Sequence, residues 1–145
     1  MASFAYTPAK YGIARGTLVW HTSDIRVLLV MTNTTADTDQ DAATISGIGT
    51  LDEYDGASYV RKTLAGLATN EDDPNNRAEM DATDITWSTL GAGTRQAQAM
   101  VVYKFVTNDT DSIPILFIDS GGFPFTGSGL DAVVTWNAEG IGQLT

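Results

Sequence analysis

The chain has 145 residues, 43% of them hydrophobic and 18% charged, with no cysteine and a formal net charge of −10. That length and composition describe one globular domain able to bury a core without disulfides, and they leave no thiolate chemistry and no Cys-based metal site. So acidic a chain, its eight basic residues scattered, disfavours nucleic acid as a partner, and its longest clean apolar run, 27–31, is far too short for a membrane span.

Residues 1–12 read as an N-terminal arm, polar and aromatic with Pro8, and 13–145 as a β-sandwich domain. No charged-then-apolar leader is evident, so synthesis in the cytoplasm is expected. Residues 13–20 and 25–31 are strand-like and joined by the polar cluster His21-Thr22-Ser23-Asp24, which predicts a hairpin. The 33–41 stretch is rich in Asn, Thr and Asp and reads as loop. Residues 41–51 could hold a short helix, because Asp41 can cap it and Ile45, Ile48 and Leu51 recur every three residues; Gly47 and Gly49 weaken it.

A strand over 59–64 is followed by the most hydrophilic stretch, 69–76, which reads as an exposed loop. Short strands are expected at 77–80 and 85–90, then a Gly-rich turn, a long strand at 98–106, another at 113–118 and a terminal one at 132–137. The 100–106 and 113–118 runs are apolar throughout except Lys104, the mark of central strands covered on both faces or by a partner chain. Pro114 must sit at a strand start or an edge, since it donates no ladder bond. Many short strands between turn signals predict an all-β, single-domain antiparallel β-sandwich or small, jelly-roll-like barrel with at most one short helix.

The chemistry-bearing residues are few. His21 is the single histidine, and Ser23 and Asp24 lie too close in sequence to form a triad with it. Neither the Gly47-Ile48-Gly49 nor the Gly91-Ala92-Gly93 segment continues into a phosphate cradle. Asp37, Asp39 and Asp41 have the opening spacing of a calcium loop, but Ala42 and Ile48 replace its turn glycine and bidentate glutamate; Glu71, Asp72 and Asp73 form a second acidic cluster. Solvated loops are the expected reading of both, with no catalytic residue, metal or cofactor. Trp20, Trp87 and Trp136 sit in or at the ends of strands and read as packing residues rather than sugar platforms.

The Gly121-Gly122-Phe123-Pro124-Phe125 loop is different. Its glycines and proline make a shaped turn, and two Phe side chains on it either anchor an interface or plug the open end of the sandwich.

Three segments carry a family resemblance: LDEYDGASYVRKTLAG at 51–66, NRAEMDATDITWSTLGAGT at 76–94, and the block AQAMVVYKFVTNDTDSIPILFIDSGGFPFTGSGLDAVVTWNAEGIGQL at 97–144. In their order and combination they resemble small virion-associated proteins of tailed bacteriophages. The resemblance implies a β-rich virion component with no catalytic residues to carry over. The favoured role is a capsid decoration, or cement, protein on the head exterior that braces major capsid subunits, as a homo-oligomer with a trimer favoured. A tail or neck component, or a carbohydrate-binding module for host adsorption, are the alternatives. On this reading Phe123, Pro124 and Phe125, with the arm residues Phe4, Tyr6 and Tyr11, meet partner chains.

Overall fold

A computed structural model describes residues 3–145. Met1 and Ala2, the start of the expected arm, lie outside the described residues. Over the described residues the fold is all-β and sandwich-like, with three open antiparallel sheets and one short α-helix. In chain order the elements are β1 (Phe4–Ala5), α1 (Thr7–Arg15), β2 (Ile25–Met31), β3 (Lys62–Thr63), β4 (Ala68–Asp72), β5 (Arg77–Asp81), β6 (Ile85–Leu90), β7 (Ala97–Lys104), β8 (Ile113–Ile118), β9 (Leu130–Val134) and β10 (Gly142–Leu144). The main sheet runs β1-β8-β7-β2-β3, a second runs β10-β5-β4, and a third pairs β6 with β9 alone.

The near-continuous apolar runs of β2 and β7 follow from their place at the centre of the main sheet. Ile25, Val27, Leu29, Met100 and Val102 face one core with the smaller sheets and α1, while Leu28, Val30, Ala99, Val101 and Tyr103 face another. This chain's own 33–51 segment covers that second face through Ala36, Ala42, Ile45 and Ile48. Both faces are dry, so neither central strand offers itself to a partner. Pro114 falls beside a register shift between Val102 and Tyr103, where the ladder is already irregular.

Several expectations change: the 59–64 strand shrinks to Lys62–Thr63 and the terminal 132–137 strand is shifted to Leu130–Val134. The 13–20 strand is absent: helix α1 occupies Thr7–Arg15, with Pro8 in its first turn and Gly16 in a left-handed conformation (φ 71°), its amide donating to the Ile13 carbonyl at 3.0 Å. The 1–12 arm is therefore folded into the domain, as β1 on the edge of the main sheet and the start of α1. Only a 3₁₀ turn forms in 41–51, at Ile45–Gly47; the spacing of three reports burial of Ile45 and Ile48, and the glycines prevent propagation. The hydrophilic 69–76 stretch is a hairpin, not a loop: β4 pairs with β5 across a 3₁₀ turn at Asp73–Asn75.

Charges are used largely to fasten loops. The Arg61 guanidinium contacts Glu53 Oε2 at 2.7 Å and Asp109 Oδ1 at 2.5 Å and lies over the Tyr103 ring. Those hydrogen bonds, Glu53 first, push its pKa further up. Arg77 is shared among Asp72, Glu79 and Glu139. Asp39 accepts from the Thr35 hydroxyl (2.6 Å) and the Gly49 amide (2.8 Å), closing the segment that covers the second core.

These bonds hold the Asp39 carboxyl below the usual range; Thr94 does the same for Asp55, and the Asn108 and Thr107 amides for Asp111. A depressed folded pKa stabilises above the unfolded value, near ~3.9, and that stability is lost as pH falls through the lower folded values. The expected melting temperature, followed by circular dichroism, is flat from about pH 7 to 5 and falls steeply below about pH 4, with a shallower fall in Asp39→Asn.

Candidate interaction site

The 121–125 loop begins where the main sheet lets the chain go. Ile118 is still paired with Met100, the chain then leaves the sheet, and it returns at Phe125, whose amide and carbonyl both bond Ala97 at 3.0 and 2.8 Å. The excursion turns on Gly121 and Gly122, both at positive φ with no atom within 4 Å of a Cβ built there. A side chain at either would be strained by the backbone rather than by neighbours. The Phe123–Pro124 peptide is cis, and Pro124 is exposed. Phe123 and Phe125 are half-buried, their rings 5.5 Å apart, packed against the main core. They are partly plug and partly surface.

Opposite the loop lies β9. Trp87, Ala132 and Val134 close the inner side of the cleft between them, Phe123 and Phe125 the other, and its volume is about 200 Å³. Leu130 and Val133 on β9 are 72% and 61% exposed, the two most exposed large apolar side chains among the described residues. Asp131 turns its carboxylate back to the Thr89 amide (2.9 Å) at the bulge where β6 holds two residues against one of β9. Thr89 sits there at φ 50°, a conformation a β-branched residue rarely adopts. Thr89→Gly is therefore expected to raise the melting temperature by a few degrees, a gain of about 1 kcal/mol; a lower value would mean that the bond its hydroxyl donates to Ser58 Oγ (3.4 Å) outweighs the strain.

Segments 78–94 and 105–145 contain no Lys or Arg, and 105–145 carries Asp109, Asp111, Asp119, Asp131 and Glu139, of which Asp109 is paired with Arg61 and Glu139 with Arg77. No charged side chain lines the cleft itself.

The remaining sequence candidates lie elsewhere. Tyr6 is fully buried in the second core and donates its hydroxyl to Ala36 O at 2.7 Å, so it is a core residue and not an arm anchor; burial pushes its hydroxyl pKa up. Phe4 is half-buried, its ring stacked on Phe117 at 5.3 Å. Tyr11 is 60% exposed on α1 and lies under the Arg15 guanidinium. The arm aromatics are thus split, and only Tyr11 is presented to solvent.

His21 is exposed with Nδ1 3.2 Å from Thr69 Oγ1, while Ser23 donates to Val19 O and Asp24 pairs with Arg26. The three do not converge. Among the described residues no group of three or more His, Asp or Glu side chains comes together as a cation site. All three tryptophans donate their indole N–H to a backbone carbonyl, Trp20 to Asp81, Trp87 to Val60 and Trp136 to Thr83. Trp20 and Trp87 are buried.

No family model, no curated protein and no solved structure matches the chain. Among the described residues no helix is long and apolar enough to cross a membrane.

Proposed function

We propose that this chain is a structural component of a tailed-phage virion, a decoration protein that braces major capsid subunits on the head exterior, assembled as a homo-oligomer with a trimer favoured. The resemblance over residues 51–144 supplies the class. The observation that carries a binding role is the surface formed by β9 and the 121–125 loop: exposed Leu130 and Val133 beside a cleft lined by two Phe rings, on a strongly acidic chain. An apolar patch with aromatic anchors suits a lasting contact with another protein, and the charge keeps the unassembled chain soluble.

The deciding measurement is the copy number relative to the major capsid protein, by quantitative mass spectrometry of purified particles. Hundreds of copies per particle support decoration of the head lattice. A few dozen or fewer place the protein at the neck or tail, and absence from particles ends the virion reading.

Phe125→Ala is expected to weaken binding to purified capsid shells at least tenfold while costing about 1–2 kcal/mol of stability, less than the loss of a fully buried Phe. A loss of stability without any change in shell binding would make Phe125 a core residue only.

A further inference from the structure

We propose that β9 is an acceptor edge: an extended segment of a partner chain, apolar at alternate positions with Lys or Arg between, adds to it as a further antiparallel strand. This deepens the virion reading and rests on it only for the identity of the partner.

The first ground is backbone pairing. Among the described residues β9 pairs with β6 alone, and no backbone–backbone hydrogen bond joins its other side to any of them. In an antiparallel ladder alternate residues direct both N–H and C=O to one side, so half of the backbone groups of β9 face outward unpaired. Proteins normally blunt such an edge with a Lys, a Pro, a very short strand or a polar sequence. The other edges are blunted: β1 and β3 have two residues each, β10 has three, β4 reads ATNED, and β6, the opposite edge of the same small sheet, exposes only Thr86, Ser88 and Thr89. β9 reads LDAVV, with five residues and no Lys, Pro or Gly. Its one charge is turned back onto the Thr89 amide.

The side chains beside β9 fit a strand. Phe123 and Phe125 share a cleft with Ala132, Val133 and Val134 of β9. An added strand would set alternate side chains against the Phe123 and Phe125 rings and the others beside Val133, which gives main-chain affinity with pocket-based selectivity.

The charge names the occupant. Segments 78–94 and 105–145, which build the small sheet and the loop facing it, hold no basic side chain. A second copy paired through β9 would bring two acidic surfaces and two Asp131 side chains together, which disfavours self-addition. A segment with Lys or Arg between its apolar positions meets that field with opposite sign.

The test is a titration of the full chain with an eight-residue peptide alternating valine and lysine, and with its valine–glutamate counterpart, following the amides of 130–134 by NMR and by hydrogen exchange. The expected result is shifted and protected β9 amides with the lysine peptide, at least tenfold weaker binding of the glutamate peptide, and loss of the response in Val133→Lys with an unchanged melting temperature. β9 amides that do not respond to the lysine peptide overturn the proposal, as does equal response to both peptides. Protection that grows with the concentration of the chain alone makes a second copy the occupant and overturns it too. Failure here leaves the copy-number result untouched, and absence from particles with an intact peptide response would remove only the partner's identity.

Discussion

Tyr54→Phe is expected to lower the unfolding free energy by about 3 kcal/mol, although it removes one oxygen and no ring contact. Tyr54 is buried, and its hydroxyl donates to Gly91 O at 2.8 Å while accepting from the Gly93 amide at 2.9 Å and the Gly127 amide at 3.1 Å. A tyrosine hydroxyl has one donor and two acceptor sites, so all three are filled. Phenylalanine leaves a carbonyl and two amides without partners, each costing about 1–3 kcal/mol when buried. The measurement is the denaturant midpoint, expected to fall with an unchanged slope. A change below about 0.5 kcal/mol would mean that water replaces the hydroxyl and that the clamp does not set stability. The same site explains its glycines. A Cβ on Gly56 or on Gly127 would lie 2.2 Å from Gly91 O, so Gly127→Ala must displace backbone and is expected to be about as costly. Because this clamp fixes the chain just before β9, both substitutions should also speed amide exchange in 130–134.

How much of this was legible in the sequence depends on whether the cause was local. The strands at 25–31, 85–90 and 113–118 are present with nearly those limits, because long apolar or alternating runs bounded by turn residues report burial directly. The all-β class followed from them. Helix α1 was hidden: nine residues with a Gly at 12 and weak amphipathicity look like a lead-in, and the informative signals were the punctuation, Pro8 at the start and Gly16 at the end. The β4–β5 hairpin was hidden for another reason. β4 is an edge strand exposed along most of its length, so its sequence is as polar as a loop, and only pairing with β5 reveals it. β10 is three residues held by the same partner. The Tyr54 clamp left only an indirect trace, since Gly91-Ala92-Gly93 signals a turn but not the hydroxyl that requires it.

The candidate site divides in the same way. Gly121, Gly122 and Pro124 announced a shaped loop bearing two Phe side chains, and the loop is there. What β9 offers beyond it was not legible, because a strand sequence does not say whether its second edge is paired. Tyr6 shows the converse. An aromatic near a polar terminus suggested an exposed anchor, yet the pairing of β1 with β8 puts its ring in the second core.

Trp87→Ala is expected to cost about 3–5 kcal/mol and to act first on the small sheet that carries the candidate site. Trp87 faces inward from the middle of β6 with Ile85 and Leu90, is 1% exposed, stacks on Tyr59 and donates its indole N–H to Val60 O at 2.7 Å. Truncation leaves both a cavity and an unpaired carbonyl. A two-stranded sheet has little stability of its own, so β6 and β9 depend on such anchors to stay docked. Hydrogen exchange should therefore show β6 and β9 amides opening well below the global unfolding free energy in Trp87→Ala, while β2 and β7 amides keep the global value. Trp87→Phe retains most of the ring, loses the donor, and is expected to cost about 1–3 kcal/mol. Uniformly faster exchange over all sheets in Trp87→Ala would show that the small sheet does not open separately. If it does open separately, the acceptor edge of β9 rests on one indole, and binding at that edge should stabilise β6 and β9 before any other part of the chain.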